Sequence, residues 1–258
     1  MTVRRFRAGG IEVAVIPSPD ELAEAAARKA AEVVREAITR RGRARIVVAT
    51  GNSQIAMMER FVQSPDVDWS FVEAFHLDEY VGLPITHPAS FRLWIQTRFA
   101  DRARPGAMHY LDGEAPDLDR EIRRYTALIR EAPFDLCFAG FGENGHIGFN
   151  DPPVADFHDP LTVKRVKLDE ACRRQQVGEG HFPTLEAVPP EALTMTCPAI
   201  VSAGALVCVV PDRRKAQAVK DALEGEISTA CPASLVRTHS RTFLYLDTES
   251  VSLLSLLL

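Results

Sequence analysis

The sequence predicts one three-layer α/β domain across residues 1–258, with a mainly parallel sheet covered by helices on both faces. Three observations predict it. Short β-branched apolar runs alternate along the chain with stretches of helical periodicity. Those runs end in turns dense in Gly, Asn, Asp and His, as happens where ligands bind beyond the carboxyl ends of parallel strands. No fixed-period repeat, low-complexity tract or linker divides the 258 residues, a length that single α/β domains reach.

The elements follow in order. Ser18-Pro19-Asp20-Glu21 is a helix start: Ser18 can cap, Pro19 suits the first helical position and Glu21 can complete a capping box. Leu22, Ala26, Ala30, Val33, Ala37 and Ile38 keep one apolar stripe until Gly42, a left-handed stop. Arg45 to Thr50 is a β-branched run bounded by Gly51 and predicts a buried strand. Phe71 to Leu77 predicts a strand, Leu118 to Arg130 a helix, and Asp135 to Phe141 a strand ending in a glycine-rich turn. Ala205 to Val210 predicts a strand, Arg213 to Leu223 a helix and Phe243 to Leu246 a last strand, so the layout is Rossmann-like. Asp151 to Asp159, dense in Pro and Asp, predicts an irregular loop or lid.

Composition narrows the function. Hydrophobic residues at 46% and charged residues at 25% are ordinary for a globular protein and exclude disorder. Thirty Lys+Arg against 35 Asp+Glu give a net charge of -5, so no global positive field draws a nucleic acid or an anionic membrane. The charged start MTVRRFRAGG lacks the apolar stretch of a secretory signal, and no run approaches the roughly 20 residues of a membrane span. The apolar tail Val251 to Leu258 is expected to pack on the core or on a subunit neighbour, which permits a homo-oligomer. Cys137, Cys172, Cys197, Cys208 and Cys231 form no C-x-x-C pair and are odd in number, against a disulfide framework or structural zinc and in favour of a reducing cytoplasm.

Three strand ends carry polar chemistry. In Thr50-Gly51-Asn52-Ser53, Gly51 permits the turn and the helix behind it would aim free backbone N–H groups at an anion, for which phosphate is the natural guess. The pattern matches neither G-x-x-x-x-G-K-[ST] nor G-x-G-x-x-G, so neither familiar nucleotide site is indicated. At Leu77-Asp78-Glu79-Tyr80, burial at a strand mouth would raise the Asp78 pKa and make it a usable general base, unless these acids only cap the next helix or pair with a cation. In Gly142-Glu143-Asn144-Gly145-His146-Ile147-Gly148-Phe149-Asn150-Asp151, the glycines allow His146 to approach a ligand while Asn144 and Asp151 orient its ring. A cation held by Asp78, His146 and Asp151 is the competing reading, which no His-x-x-x-His spacing supports.

These residues carry a resemblance. Thr50-Gly51, Leu77-Asp78-Glu79-Tyr80-Val81-Gly82-Leu83, His87-Pro88 with Ser90, and Asn144-Gly145-His146-Ile147-Gly148-Phe149-Asn150 resemble the glucosamine-6-phosphate deaminase/isomerase family, whose wider relatives include 6-phosphogluconolactonases. Ala192-Leu193-Thr194-Met195, Lys215-Ala216 with Leu223-Glu224-Gly225, and Pro232-Ala233-Ser234 extend the likeness over most of the chain. The resemblance implies a cofactor-free and metal-free reaction. An amino-sugar phosphate opens, a proton moves between C2 and C1, and the C–N bond is hydrolysed to release ammonia and a ketose phosphate. It implies that Asp78 shuttles the proton, that His146 assists ring opening, and that Asn144 and Asp151 stand with it. It also implies a phosphate clamp of Thr50, Gly51, Asn52, Ser53, Arg173 and Lys215.

Two departures from the family pattern bear on the substrate. Asp151 is one methylene shorter than the usual glutamate, so either its carboxylate sits back from His146 or the loop moves inward. Pro153 to Lys164 lacks the family's Ser-Arg-Thr stretch, and this loop is expected to touch the sugar. The expected activity is amino-sugar metabolism, converting glucosamine-6-phosphate to fructose-6-phosphate and ammonia, or the galactosamine counterpart. The alternatives are a 6-phosphogluconolactonase-like hydrolase and a non-catalytic module that binds the phosphosugar. No nucleic-acid partner and no membrane is expected.

Overall fold

A computed structural model describes residues 3–255. Its first strands, β1 (Arg4–Ala8) and β2 (Ile11–Val15), form an antiparallel hairpin over the turn Gly9-Gly10, which the sequence reading did not anticipate. Ser18 then caps α1 (Pro19–Arg41) by accepting the Glu21 N–H at 3.3 Å, and Gly42, at φ 72°, ends it by donating to the Ile38 carbonyl at 2.7 Å. Nine residues of α1 are buried, six of them alanine beside Leu22, Val33 and Val34, and these small side chains let the helix lie close on the sheet.

The core strands are β3 (Ala44–Val48) and β4 (Val72–His76), followed after a short second-sheet strand, β5 (Asp78–Tyr80), by the edge strand β6 (Ala107–Met108). Then come β7 (Leu136–Ala139), β8 (Val163–Lys167), β9 (Glu191–Met195), β10 (Leu206–Val210) and β11 (Thr242–Leu246). The main sheet runs β1-β2-β11-β10-β7-β3-β4-β6, and every pair in it except β1–β2 is parallel. Every residue of β3, β7 and β10 is buried, as strands covered on both faces must be. The predicted mainly parallel sheet is therefore present, with boundaries shifted by one or two residues.

A second, three-stranded antiparallel sheet, β5-β9-β8, was not predicted. It sits beyond the carboxyl end of β4 and carries Asp78 at its start, opposite Thr194 of β9. The helices α2 (Ile55–Phe61), α3 (Phe91–Ile95), α4 (Asp101–Ala103) and α5 (Leu118–Arg130) precede β7. After β8 come α6 (Glu170–Gly178), α7 (Cys197–Val201) and α8 (Ala216–Glu224). The helix expected from Arg213 begins instead with a 3₁₀ turn, Arg213–Lys215.

Arg45 ties the base of the fold together. Its side chain pairs with Glu73 at 2.7 Å and donates to the carbonyls of Leu128, Ile129 and Ala132, closing the end of α5, while the guanidinium lies 4.9 Å from the Phe75 ring centre. At the C-terminus, Leu254 is buried in the main core and Leu253 is exposed, so the expected packing on the core holds for Leu254. Residues 256–258 of that tail lie outside the described residues. Among the described residues no helix is long and apolar enough to cross a membrane.

Candidate active site

The carboxyl ends of β3, β7 and β10 and the start of β5 surround a cavity of about 240 Å³. Its wall includes Thr50, Gly51, Asn52, Ser53, Asp78, His146 and Lys215, so three separate loop tips meet there. At one end is the turn after β3. Gly51 has φ 104° and ψ 164°, a backbone region open only to glycine, and an added Cβ would meet nothing within 4 Å, so conformation alone demands the residue. A 3₁₀ turn, Asn52–Gln54, precedes α2 where the sequence predicted an immediate helix. Gln54, fully buried, donates to Ser53 Oγ at 2.9 Å and to the Val209 and Ala139 carbonyls, which bolts the turn to β10 and β7.

Asp78 also lines the cavity. Burial pushes its carboxyl well above the ordinary carboxylate range, and the neighbouring Glu79 adds to the effect. Its position is held by His76, a residue the sequence reading passed over. The His76 Nε2 accepts the Leu111 N–H at 2.8 Å, which leaves Nδ1 to donate to the Asp78 carbonyl at 2.9 Å, and burial lowers this imidazole to about 3. The two adjacent acids divide the possibilities weighed for them. Glu79 is the structural one: it accepts Ser90 Oγ and the Phe91 and Arg92 N–H groups at the start of α3 and pairs with Arg92 Nε at 3.2 Å. Asp78 faces the cavity.

The loop after β7 presents His146. A Cβ on Gly142 would lie 2.1 Å from the His146 ring, so only glycine leaves room for the imidazole. The ring Nδ1 stands 2.8 Å from Asn144 Oδ1 and 3.0 Å from Asp151 Oδ1, and Asn144 Nδ2 donates to Asp151 at 3.0 Å. With Nδ1 as donor to both, the Nε2 lone pair is free for chemistry at the cavity. Burial pushes the Asp151 carboxyl up, but hydrogen bonds from His146 and Asn144 and the Asp169 N–H outweigh it and hold the group below its ordinary value. The shorter Asp151 still reaches the ring, with Oδ1 3.0 Å from His146 Nδ1. Asn150 anchors the loop, donating from Nδ2 to the Ile147 and Met195 carbonyls at 2.9 Å each. Thr194 Oγ1 accepts the Phe149 N–H at 3.1 Å, so the second sheet ties the histidine loop to the strand of Asp78.

Two of the expected substrate contacts lie away from the cavity wall. Arg173, expected in the phosphate clamp, is not part of the cavity wall: its Nη2 donates to the Leu185 and Val188 carbonyls at 2.6 and 3.2 Å. The loop after Asp151, expected to touch the sugar, does not line the cavity, and Lys164 holds it down by bonding Val154 O and Asp159. Beside Lys215 the wall instead carries Arg214, Asp212, Glu179 and His181, none of which the sequence reading singled out. Arg214 was within reach of it, being adjacent to Lys215 at a strand end. Among the described residues, the cluster that could hold a cation is His146, Asp151 and Cys172, with ligand atoms within 4.8 Å of one another, and it does not include Asp78. Burial and then the Asp151 charge push the Cys172 thiol well above its ordinary value, which keeps it protonated and a poor metal ligand.

Comparison with known proteins gives first the class. Residues 17–151 match the family model of glucosamine-6-phosphate isomerases/6-phosphogluconolactonase, and the chain belongs to that family. Among individual relatives, the glucosamine-6-phosphate deaminase of Bacillus cytotoxicus is 34% identical over 245 residues, covering 95% of this chain and 90% of that protein. A solved monomeric glucosamine-6-phosphate deaminase superposes with a TM-score of 0.85 at 30% identity, covering 93% of this chain and 99% of the other. The 6-phosphogluconolactonase of Thermotoga maritima shares the fold, with a TM-score of 0.75 at 17% identity over 92% of this chain and 100% of its own.

Proposed function

We propose that this protein is an amino-sugar phosphate deaminase/isomerase, converting glucosamine-6-phosphate to fructose-6-phosphate and ammonia, or acting on the galactosamine epimer. The observation that carries the reading is the meeting of Asp78, His146, Lys215 and the Gly51 turn on one cavity. A sugar phosphate spans it with its phosphate at the turn and Lys215 and its C1–C2 end at Asp78. His146 Nε2 takes part in opening the ring, its Nδ1 held by Asn144 and Asp151. Asp78 removes the C2 proton of the opened chain and returns it to C1. The C2 amine thereby becomes an imine, with O1 taking up the proton that the amine loses; water adds across the C=N bond, ammonia leaves, and the C2 ketone remains.

The raised Asp78 pKa suits both halves of that transfer, because a stronger base abstracts the proton more readily and its conjugate acid still gives it back. A positioned general base is worth roughly 10²–10⁴ in rate, and holding the phosphate supplies orientation. The relatives named as deaminases support this choice over lactone hydrolysis. The test is an assay of ammonia and ketose release over glucosamine-6-phosphate, galactosamine-6-phosphate and 6-phosphogluconolactone. Ammonia from either hexosamine is expected. Hydrolysis of the lactone alone would replace the reading by a lactonase, and tight phosphosugar binding with no product would replace it by a sensing module.

A further inference from the structure

The tail end of the cavity holds more negative charge than an anion clamp needs. Lys215 Nζ faces Glu179 Oε1 at 3.4 Å, and that carboxylate also takes Gln175 Nε2 at 2.8 Å and His181 Nε2 at 3.4 Å. The Glu179 carbonyl accepts Asn52 Nδ2 at 3.4 Å, so one residue touches both the glycine turn and the lysine. The Glu179 and Lys215 side chains are each only 8% exposed, where solvent screens their charges weakly. Arg214 is likewise engaged, by Asp212 at 2.7 and 3.0 Å. Asp212 itself has φ 87°, a strained conformation for a residue with a side chain, at the strand end that presents both cations. An anion arriving at Lys215 therefore meets a carboxylate already in place.

We propose that Glu179 is the specificity-determining residue of the tail end, an internal carboxylate that holds Lys215 until a doubly charged phosphate monoester takes its place. The inference rests on the reading that the substrate's phosphate binds at Lys215. A phosphate brings two charges and three oxygens and can engage Lys215, Arg214 and the turn amides together. A singly charged tail offers Lys215 no more than Glu179 already gives it, and a neutral tail offers less. The exchange favours only the dianion, so the cavity rejects sugars that merely resemble the phosphate ester in shape.

The test uses the intact protein and Glu179→Gln, with binding of sorbitol 6-phosphate and sorbitol 6-sulfate measured by calorimetry. Neither ligand has a carbonyl to turn over, and they differ mainly in tail charge. Glu179→Gln is expected to bind the 6-phosphate about tenfold more tightly, the equivalent of about 1.4 kcal/mol, and to bind the 6-sulfate measurably where the wild type does not. Adding Lys215→Ala should abolish the gain. Unchanged or weaker 6-phosphate binding by Glu179→Gln, or wild-type binding of the 6-sulfate as tight as of the 6-phosphate, overturns the inference. Should that variant not fold, nitrogen NMR of wild-type His181 supplies the answer: the Nε2 signal should shift on saturation with sorbitol 6-phosphate as Glu179 leaves, and a fixed signal overturns the inference. Tighter binding without ammonia from either hexosamine phosphate would refute the proposed reaction alone. Ammonia release with an unchanged KM in Glu179→Gln would refute this inference alone.

Discussion

Replacing Gly142 by Ala tests whether the exact seat of His146 matters. The new Cβ would lie 2.1 Å from ring atom Cε1 and 2.2 Å from Nδ1, where ordinary contact begins at about 3.4 Å, so the ring must retreat by about 1.3 Å. The loop cannot yield instead without cost, because the Gly142 N–H donates to the His146 carbonyl at 2.9 Å and the Gly142 carbonyl accepts the Gly145 N–H at 3.1 Å. A retreat of that size carries Nδ1 out of hydrogen-bond range of Asn144 and Asp151, now at 2.8 and 3.0 Å. Misplacing a reacting group by about 1 Å costs about 10²-fold in rate, and kcat for ammonia release should fall by that order. The phosphate end is untouched, so KM should stay within about threefold, since uniform binding is preserved. Steady-state kinetics with ring-closed substrate make the measurement. A kcat within about twofold of wild type would refute the claim that ring orientation by Asn144 and Asp151 drives the step.

Two further outcomes follow from buried charges. Arg45→Ala should destabilise the fold by about 3–5 kcal/mol in urea unfolding, because it leaves Glu73 with His109 as its remaining partner and strips three carbonyls at the end of α5 of their donor; a loss below about 1 kcal/mol would contradict that role. Burial raises Glu179, but His181, Lys215 and Gln175 outweigh it and bring the group down to about 2 from an ordinary 4.5. Its stabilising contribution is thus complete above pH 4.5 and lost as pH falls toward about 2. Over that window the wild type should lose on the order of 3 kcal/mol more stability than Glu179→Gln, and parallel losses in the two proteins would contradict the ion pair.

Much of the main sheet was legible because its strands are short apolar runs buried on both faces, and the ends of α1 because Ser18 and Gly42 act locally. The second sheet was not legible for the opposite reason. Its strand β5 has three residues, two of them acids, and pairs with β9 more than a hundred positions away, so no local pattern announces it. Yet that sheet carries Asp78 and links it to the histidine loop. In the candidate site, Asp78 and His146 stood out because glycines and polar groups crowd immediately after apolar strands. The structural role of Glu79 beside Asp78 could not be read from sequence, since it depends on Arg92 and Ser90 converging on Glu79.

At the expected phosphate end, side-chain position depends on tertiary packing that the sequence does not display. Arg173 lies on α6 and turns toward the carbonyls of Leu185 and Val188, while Glu179 and His181, just beyond that helix, reach the cavity. Asp151 shows the converse. Its side chain is one methylene shorter than the family's usual glutamate, yet it contacts His146 from a loop anchored by Asn150. An oligomer was suggested by the apolar tail, of which Leu254 is used by the protein's own core, and one solved relative is described as monomeric.

Proton transfer by Asp78 is the central step of the proposed reaction, and its most direct measurement is ammonia release from glucosamine-6-phosphate by wild type and Asp78→Asn at matched concentration. The variant should lose about 10²–10⁴-fold in kcat while binding sorbitol 6-phosphate as the wild type does. Because burial disfavours the ionised carboxylate, it should also be more stable than wild type at neutral pH. Turnover by Asp78→Asn at the wild-type rate would contradict the account.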